Sequence, residues 1–353
     1  MKKLLNCTVG IIITVWFIWN CYGDTKYAGE FLNIGGGVRA LGMGSAFTGI
    51  SDDASASYWN PAGLGQLEKG ELSLMWSDWT GSDSGGSVNI LKYGFLSGVT
   101  HKMEIPYIYG VPFLVPFKTG SFKIPGHFGF SLIALSVPDI QDTRPETTGV
   151  FLKDDGSNLD QVIANAKTAT DQETALYLSY CLPNNILVNG LNIGLSFKMI
   201  NQKIFEYSSN GFGVDMGILY TGLKSKGLRI GLNLQDLTNT PIKWSTGTTD
   251  KIPLSIKLGL VYSVKLPLTT GTNIGIDYDT KYGKNMYFGT EFWFAHIIAL
   301  RFGYKQLGGP DTNINNLTAG LGFILLNKYN FDYAFLSHEE LGNTHRVSFS
   351  IKF

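Results

Sequence analysis

Cysteine is scarce in this 353-residue chain, which has three. Cys7 and Cys21 lie in a stretch that reads as a leader, so Cys181 is the one cysteine of the expected mature chain. That excludes an intramolecular disulfide and a cysteine-based metal site. Charge is scarce as well: Asp, Glu, Lys and Arg make up 16% of the residues, and 28 basic side chains balance 28 acidic ones. No basic run offers the positive surface that a phosphate backbone needs, so nucleic acid is not expected as a partner. Beyond the leader, no stretch reaches the roughly 18 consecutive apolar residues of a membrane-spanning helix. Signatures of chemistry are missing too. Gly35-Gly36-Gly37 is followed by no lysine at phosphate-loop spacing, and His338-Glu339-Glu340 lacks the second histidine of a zinc motif. No serine sits in a Gly-x-Ser-x-Gly elbow. No enzyme activity, catalytic residue, metal or cofactor is expected.

What is abundant is glycine (43 residues), tyrosine (17) and phenylalanine (22), the composition of an all-β protein rich in turns and aromatic faces. The first residues read as an export signal: Lys2 and Lys3 are charged, Val9 to Ile18 are apolar, and Cys21-Tyr22-Gly23 supplies small residues for cleavage near Gly23. A lipidated Cys21 fits less well, because Ile18, Trp19 and Asn20 are not the small apolar residues such a site needs.

From about residue 72 onward, apolar residues alternate with small or polar ones. Val347, Phe349, Ile351 and Phe353 alternate with Arg346, Ser348, Ser350 and Lys352, and Ile298, Leu300, Phe302 and Tyr304 lie opposite Arg301 and Lys305. The pattern recurs upstream to Leu191, and strands are also expected near 105–117 and 127–137. Alternation of about ten residues, apolar toward lipid and polar toward a lumen, describes a transmembrane β-barrel strand. The reading gives a closed antiparallel barrel of about 14 strands. Short turns near 118–126, 183–189, 222–227, 265–270, 295–296 and 327–328 alternate with long polar loops near 81–104, 138–173, 237–253 and 305–315. Leu159, Val162, Ile163 and Ala166 predict a short amphipathic helix within the second loop. The expected divisions are a leader over 1–23, an N-terminal segment over 24–70 and the barrel over 71–353.

The segment does not alternate. It holds Arg39-Ala40-Leu41-Gly42-Met43-Gly44, then Asp52-Asp53-Ala54-Ser55-Ala56, then Trp59-Asn60-Pro61-Ala62-Gly63-Leu64. These runs, in this order, resemble the N-terminal hatch of the outer-membrane family that joins the long-chain fatty-acid transporters (FadL) with the PorV/PorQ proteins of type IX secretion. Ala28 to Leu32 and the form of the Arg39 run favour the PorV/PorQ side. The resemblance implies a barrel in the bacterial outer membrane that passes a hydrophobic, fatty-acid-like small molecule. The alternative it implies is an adaptor that receives secreted cargo proteins. Gly35, Gly36, Gly37, Arg39, Gly42, Met43, Gly44, Asp52, Asp53, Asn60 and Pro61 are then the candidate hatch or gate residues. Asp52 and Asp53 would be costly inside a barrel unless paired, with Lys198, Arg229, Lys257 or Arg301 as expected partners. Phe353, with Phe349 and Ile351 behind it, is similar to the signal read by the barrel-assembly machinery. That machinery and outer-membrane lipid are therefore the other expected partners.

Overall fold

The computed structural model describes residues 28–83, 86–111, 115–153, 157–182, 188–281, 283–308, 313–337 and 343–353. The expected leader and the His338-Glu339-Glu340 turn lie outside them. A stretch of short helical turns leads into β1 (Glu71–Asp83), β2 (Gly86–Val111), β3 (Val115–Asp142), β4 (Lys167–Leu182) and β5 (Leu191–Ile204). Then come β6 (Tyr207–Tyr220), β7 (Leu228–Gln235), β8 (Pro241–Trp244), β9 (Thr249–Lys251) and β10 (Ser255–Val264). The chain ends with β11 (Gly271–Asp279), β12 (Asn285–Phe294), β13 (Ile298–Gly308), β14 (Asn313–Leu325), β15 (Tyr329–Leu336) and β16 (Thr344–Lys352). Neighbours pair antiparallel, β7 passes to β10, and β16 returns to β1 with Lys352 opposite Glu71. Fourteen strands thus close a ring, and β8 with β9 forms a side hairpin on β6. Closure pairs each strand of the ring on both sides, which is what a sheet in hydrocarbon requires.

Side chains sort by parity. On β10, Leu258, Leu260 and Tyr262 are about half exposed, while Gly259 and Val261 between them are buried. Phe302, Leu317, Leu321, Val347 and Phe349 are likewise exposed. Together they make an outer apolar belt too large for water to wet without cost. Connections 221–227, 265–270, 295–297 and 326–328 are short and share one end of the ring, the turn end. At the opposite, loop end lie the long connections 143–166 and 236–254. The first carries the expected helix, Leu159–Asn165, with Val162 buried beneath it.

The start of the barrel departs from the sequence reading. No long loop covers 81–104 and no turn lies at 118–126; β2 is one strand from Gly86 to Val111, paired with β3 down to Val111 opposite Val115. Inward, Tyr93, Phe95 and Val99 are apolar or aromatic with Ser97 among them, and outward Leu96 stands between Gly94 and Gly98, so the two faces of this stretch differ little in polarity. β1 follows β2 only to Glu71 opposite Val99, and β4 follows β3 only from Cys181 opposite His127. The remaining two-stranded ribbon therefore projects beyond the turn end by roughly 35 Å, at about 3.3 Å per residue. A bulge at Gly126, with φ of 115°, marks where it leaves the wall.

Candidate functional site

Residues 28–70 fold as two stretches of 3-10 helix, Glu30–Ile34 and Pro61–Gln66, around two short α-helices, Val38–Gly42 and Ala56–Trp59. Segments this short cannot hold helical structure alone, so the order must come from the surrounding wall. Gly44 shows why glycine is needed: its φ is 62°, and a Cβ there would stand 2.7 Å from the backbone N of Tyr304. Asn60 turns the chain. Its backbone is extended before Pro61, its Oδ1 accepts from Ala62 N at 3.1 Å, and its Nδ2 donates to Thr48 O at 2.9 Å and Ile218 O at 3.3 Å.

The wall is shaped to receive this backbone. Inward positions of successive strands are glycine: Gly194 lies opposite Gly217, Gly231 opposite Gly259, and Gly289 opposite both Gly275 and Gly303. A Cβ at Gly303 would fall 2.0 Å from Gly44 N, one at Gly289 2.3 Å from Met43 O, and one at Gly194 2.3 Å from the Pro61 carbonyl carbon. The segment thus lies against the inner face from β14 round to β5, main chain on main chain.

Charged groups fasten it on the β7 to β16 side. Glu291 of β12 accepts from Arg39 Nε at 2.7 Å and Arg39 Nη2 at 2.8 Å, and also from Arg301 Nε at 2.8 Å. Arg39 Nη1 reaches Asp52 at 2.6 Å and Asp53 at 3.4 Å, and Arg301 reaches Asp332 at 2.6 Å. Asp277 Oδ2 accepts from the backbone N–H of Phe47 (2.9 Å) and Thr48 (2.7 Å). Asn233 donates to Trp59 O at 2.7 Å, Gln235 to Tyr58 O at 3.1 Å and Thr318 to Gly42 O at 3.1 Å. Burial works against the charge on Asp52, but Arg39 and Arg229 outweigh it and hold the carboxyl below its ordinary range. At Asp53 burial prevails and the carboxyl titrates above its ordinary range despite Arg39 and Ser55.

The middle of the opposite wall carries no charge, although Glu71 lies at its turn end and Glu173 nearer its loop end. Over 73–77 of β1, 93–99 of β2, 129–135 of β3 and 175–181 of β4 there is no Asp, Glu, Lys or Arg. Met75, Phe95, Ile133 and Tyr177 pack there against Leu41, Tyr58 and Trp59 in one apolar cluster. Tyr58 is met edge-on by Trp59 at 4.9 Å, Tyr177 at 5.7 Å and Phe95 at 6.2 Å between ring centroids. The clearest polar fastening on this side is Tyr93 Oη donating to Gly35 O at 2.9 Å.

Among the described residues, cavities flank the segment toward both ends of the ring, one of about 250 Å3 lying between Glu30, Asn33 and Ile34 and the β13 to β16 wall. Another, toward the loop end, measures about 320 Å3 and is lined by Tyr58, Trp59, Tyr177, Lys198, Lys257 and Lys305 among others. A third, toward the turn end, measures about 230 Å3 and is lined by Arg39, Asp52, Asp53, Glu71 and Arg301 among others. No residue lines both of these last two.

The structure brings Arg39, Asp52 and Asp53 into one charged cluster and sets Gly42, Met43, Gly44, Asn60 and Pro61 against the wall. Of the four expected partners of Asp52 and Asp53, Arg229 alone pairs, at 3.4 Å from Asp52. Arg301 serves Glu291 and Asp332, Lys198 binds Asp215 (2.9 Å) and Asp236 (2.6 Å), and Lys257 binds Asp279 (3.4 Å). Arg39, itself in the segment, takes the role the reading gave to the wall. Sequence reasoning also missed Glu291, Asp277 and the aromatic set around Tyr58. At the seam of the ring, Phe353 donates its backbone N–H to Gly70 O at 2.9 Å.

No family model matches the chain, and no curated protein matches it. Solved structures do. The chain is similar to the CymD monoaromatic hydrocarbon channel, with TM-score 0.54 and 14% identity over 91% of this chain and 98% of that one. It is also similar to a deletion mutant of the TodX monoaromatic hydrocarbon channel, with TM-score 0.53 and 13% identity over 90% and 99%. The Pseudomonas putida toluene transporter TodX gives TM-score 0.50 and 11% identity over 90% and 96%. At such identities the likeness is one of fold: the chain shares the closed antiparallel barrel of these proteins. The PorV/PorQ part of the resemblance is carried by the sequence motifs alone.

Proposed function

We infer that this protein is an outer-membrane channel for hydrophobic, fatty-acid-like small molecules, gated by its N-terminal segment. The apolar belt faces lipid, the turn end faces the periplasm and the loop end faces outward. The leader over 1–23 directs export, and Phe353 with Phe349 and Ile351 serves assembly. The observation that carries the reading is the segment itself, which lies across the ring. Among the described residues the loop-end and turn-end cavities share no lining residue, which disfavours a freely diffusing ion or sugar, whereas a molecule entering the outer cavity meets Tyr58, Trp59 and Tyr177. Gly35, Gly36, Gly37 and Asn60-Pro61 are the candidate gate positions of the segment. The likeness to hydrocarbon channels supports this choice of ligand class.

The test is twofold. Cells producing the protein should take up radiolabelled toluene or oleate faster than cells without it, and the detergent-solubilised barrel should carry an apolar small molecule detectable by mass spectrometry. Pro61→Ala should change the uptake. Uptake indistinguishable from cells lacking the protein, with an empty purified barrel, sinks the reading.

A further inference from the structure

The two ends of the ring differ in charge. At the turn end, the connections 67–70, 221–227, 265–270, 295–297 and 326–328 carry Lys69, Lys224, Lys226, Lys265, His296 and Lys328 against a single acidic residue, Glu68. At the loop end, the connection 143–166 carries Glu146, Asp154, Asp155 and Asp160 against Arg144 and Lys153. A chain of zero formal net charge has thus gathered cations at one rim. Lys69, Lys226, Lys265 and Lys328 are exposed, and none joins an ion pair among the described residues. In strand order they run from β6 round to β1, whereas the β2–β3 ribbon leaves the rim elsewhere.

The lysines border the apolar belt. Lys328 Nζ lies 5.6 Å from the centre of the Tyr329 ring, and that ring stacks at 6.1 Å on Phe349 of the outer face. Bare leucines accompany them: Leu326 is 79% exposed and Leu268 93%, with φ of 55° and 68°. Left-handed turns ordinarily take Gly, Asn or Asp, and contact with water gives no reason to place leucine there. Cation, aromatic ring and uncovered aliphatic side chain at one level suit the headgroup boundary of a bilayer, where ammonium groups meet phosphate while lysine stems and leucines reach the acyl chains.

We propose that the rim of turns from β6 round to β1 binds anionic phospholipid headgroups in the leaflet that meets the turn end. The proposal goes beyond the channel reading and does not depend on it, since it needs only the turn end to lie at a membrane surface. The lysines recognise the headgroup by charge, and the leucines set how deep the ring sits in that leaflet. Tyr329 beside Lys328 ties the row to the outer edge of the belt rather than to the mouth of the lumen, which favours lipid over an acidic protein.

The test gives the full-length, detergent-solubilised barrel an equimolar mixture of palmitoyl-oleoyl phosphatidylglycerol and phosphatidylcholine, which share acyl chains and differ in headgroup charge. Retained lipid is counted by native mass spectrometry. The expected preference for phosphatidylglycerol is about fivefold or more, because the attraction of one lysine to an anionic leaflet is worth about that factor. It should shrink as salt rises and vanish in Lys69→Gln/Lys226→Gln/Lys265→Gln/Lys328→Gln. Lys153→Gln/Lys167→Gln/Lys203→Gln/Lys243→Gln removes the same charge from exposed loop-end positions and should keep the preference. Heat-dependent gel mobility establishes that each variant is folded, and toluene uptake measured alongside tests the channel reading separately. A wild-type barrel without the preference, or a turn-end variant that retains it, overturns the proposal. Equal loss in both variants overturns the rim in favour of net charge. Retention of polyglutamate with no preference between the lipids overturns lipid in favour of an acidic protein.

Discussion

The two halves of the lumen wall solve the same packing problem with opposite chemistry. Along β7 to β16 the wall meets the N-terminal segment with carboxylates, guanidinium groups and bare glycine backbone. Along β1 to β4 it meets it with Phe95, Tyr177, Ile133 and Met75. The first kind of contact is directional and penalises any displacement, whereas the second penalises only lost area. A segment bounded by both therefore has a fixed side and a yielding side without needing a flexible hinge of its own.

Cutting the fixed side should have the largest effect. Glu291 is fully buried between Arg39 and Arg301, so Glu291→Ala leaves two guanidinium groups short of a partner and should cost about 3 kcal/mol. Thermal unfolding of the purified barrel, read by heat-dependent mobility on a gel, checks the magnitude, and protease access to residues 38–55 checks that the segment is what loosens. A stability unchanged from wild type would mean that the charged side does not fasten it.

Crowding the fixed side comes next. Gly303→Ala places a methyl 2.0 Å from Gly44 N, against backbone that has no rotamer to yield, and should cost about 2 kcal/mol. The comparison is Gly94→Ala on β2, where nothing lies within 4 Å and no loss is expected. Equal melting of the two variants would remove the belt of glycines from the account. On the yielding side, Tyr93→Phe deletes the hydroxyl that meets Gly35 O and should cost about 1 kcal/mol in the same melting comparison.

The same division explains what could be read in the sequence. Strands β10 to β16 keep the ordinary alternation, apolar outward and small or polar inward, so a 14-strand ring was legible there. β2 was not, because its inward residues Tyr93 and Phe95 pack on the segment and its outward face has glycines at 94 and 98, the second covered by Phe130 of the neighbouring strand. Asp52 and Asp53 could be flagged as needing partners from charge inside a non-alternating stretch, but their pairing with Arg39 could not. Nor could Glu291, since one carboxylate at an inward strand position looks like any lumenal residue until the ring brings it to Arg39. The glycine belt left a trace that was available: β10, β11, β12 and β13 carry Gly259, Gly275, Gly289 and Gly303, one at each mid-strand position. Only cross-strand register turns those into a surface, and register depends on pairing rather than on any single strand.

The smallest expected effect lies above the yielding side, at the loop end. Arg144, in the connection after β3, donates to Glu206 in the β5 to β6 turn at 2.8 and 3.0 Å, and its guanidinium lies 5.0 Å from the centre of the Phe205 ring. Hydrogen bonding to Arg144 pushes the Glu206 carboxyl down to about 2. A carboxyl lowered on folding stabilises at pH above its unfolded value, roughly 4.3, and loses that contribution as pH falls through the folded value. The clasp should therefore hold unchanged from neutral pH to about 4 and open only toward about 2. Pepsin cleavage within 143–166, followed across pH 2 to 5 and referred to the enzyme's rate on an unfolded peptide, reads this directly. Arg144→Ala should raise cleavage at every pH, by a small factor, because an exposed pair contributes little. A wild-type rate that already climbs near pH 4.5 would show that Glu206 is not held by Arg144, and that the β1 to β4 wall has no ionic closure at its outer end.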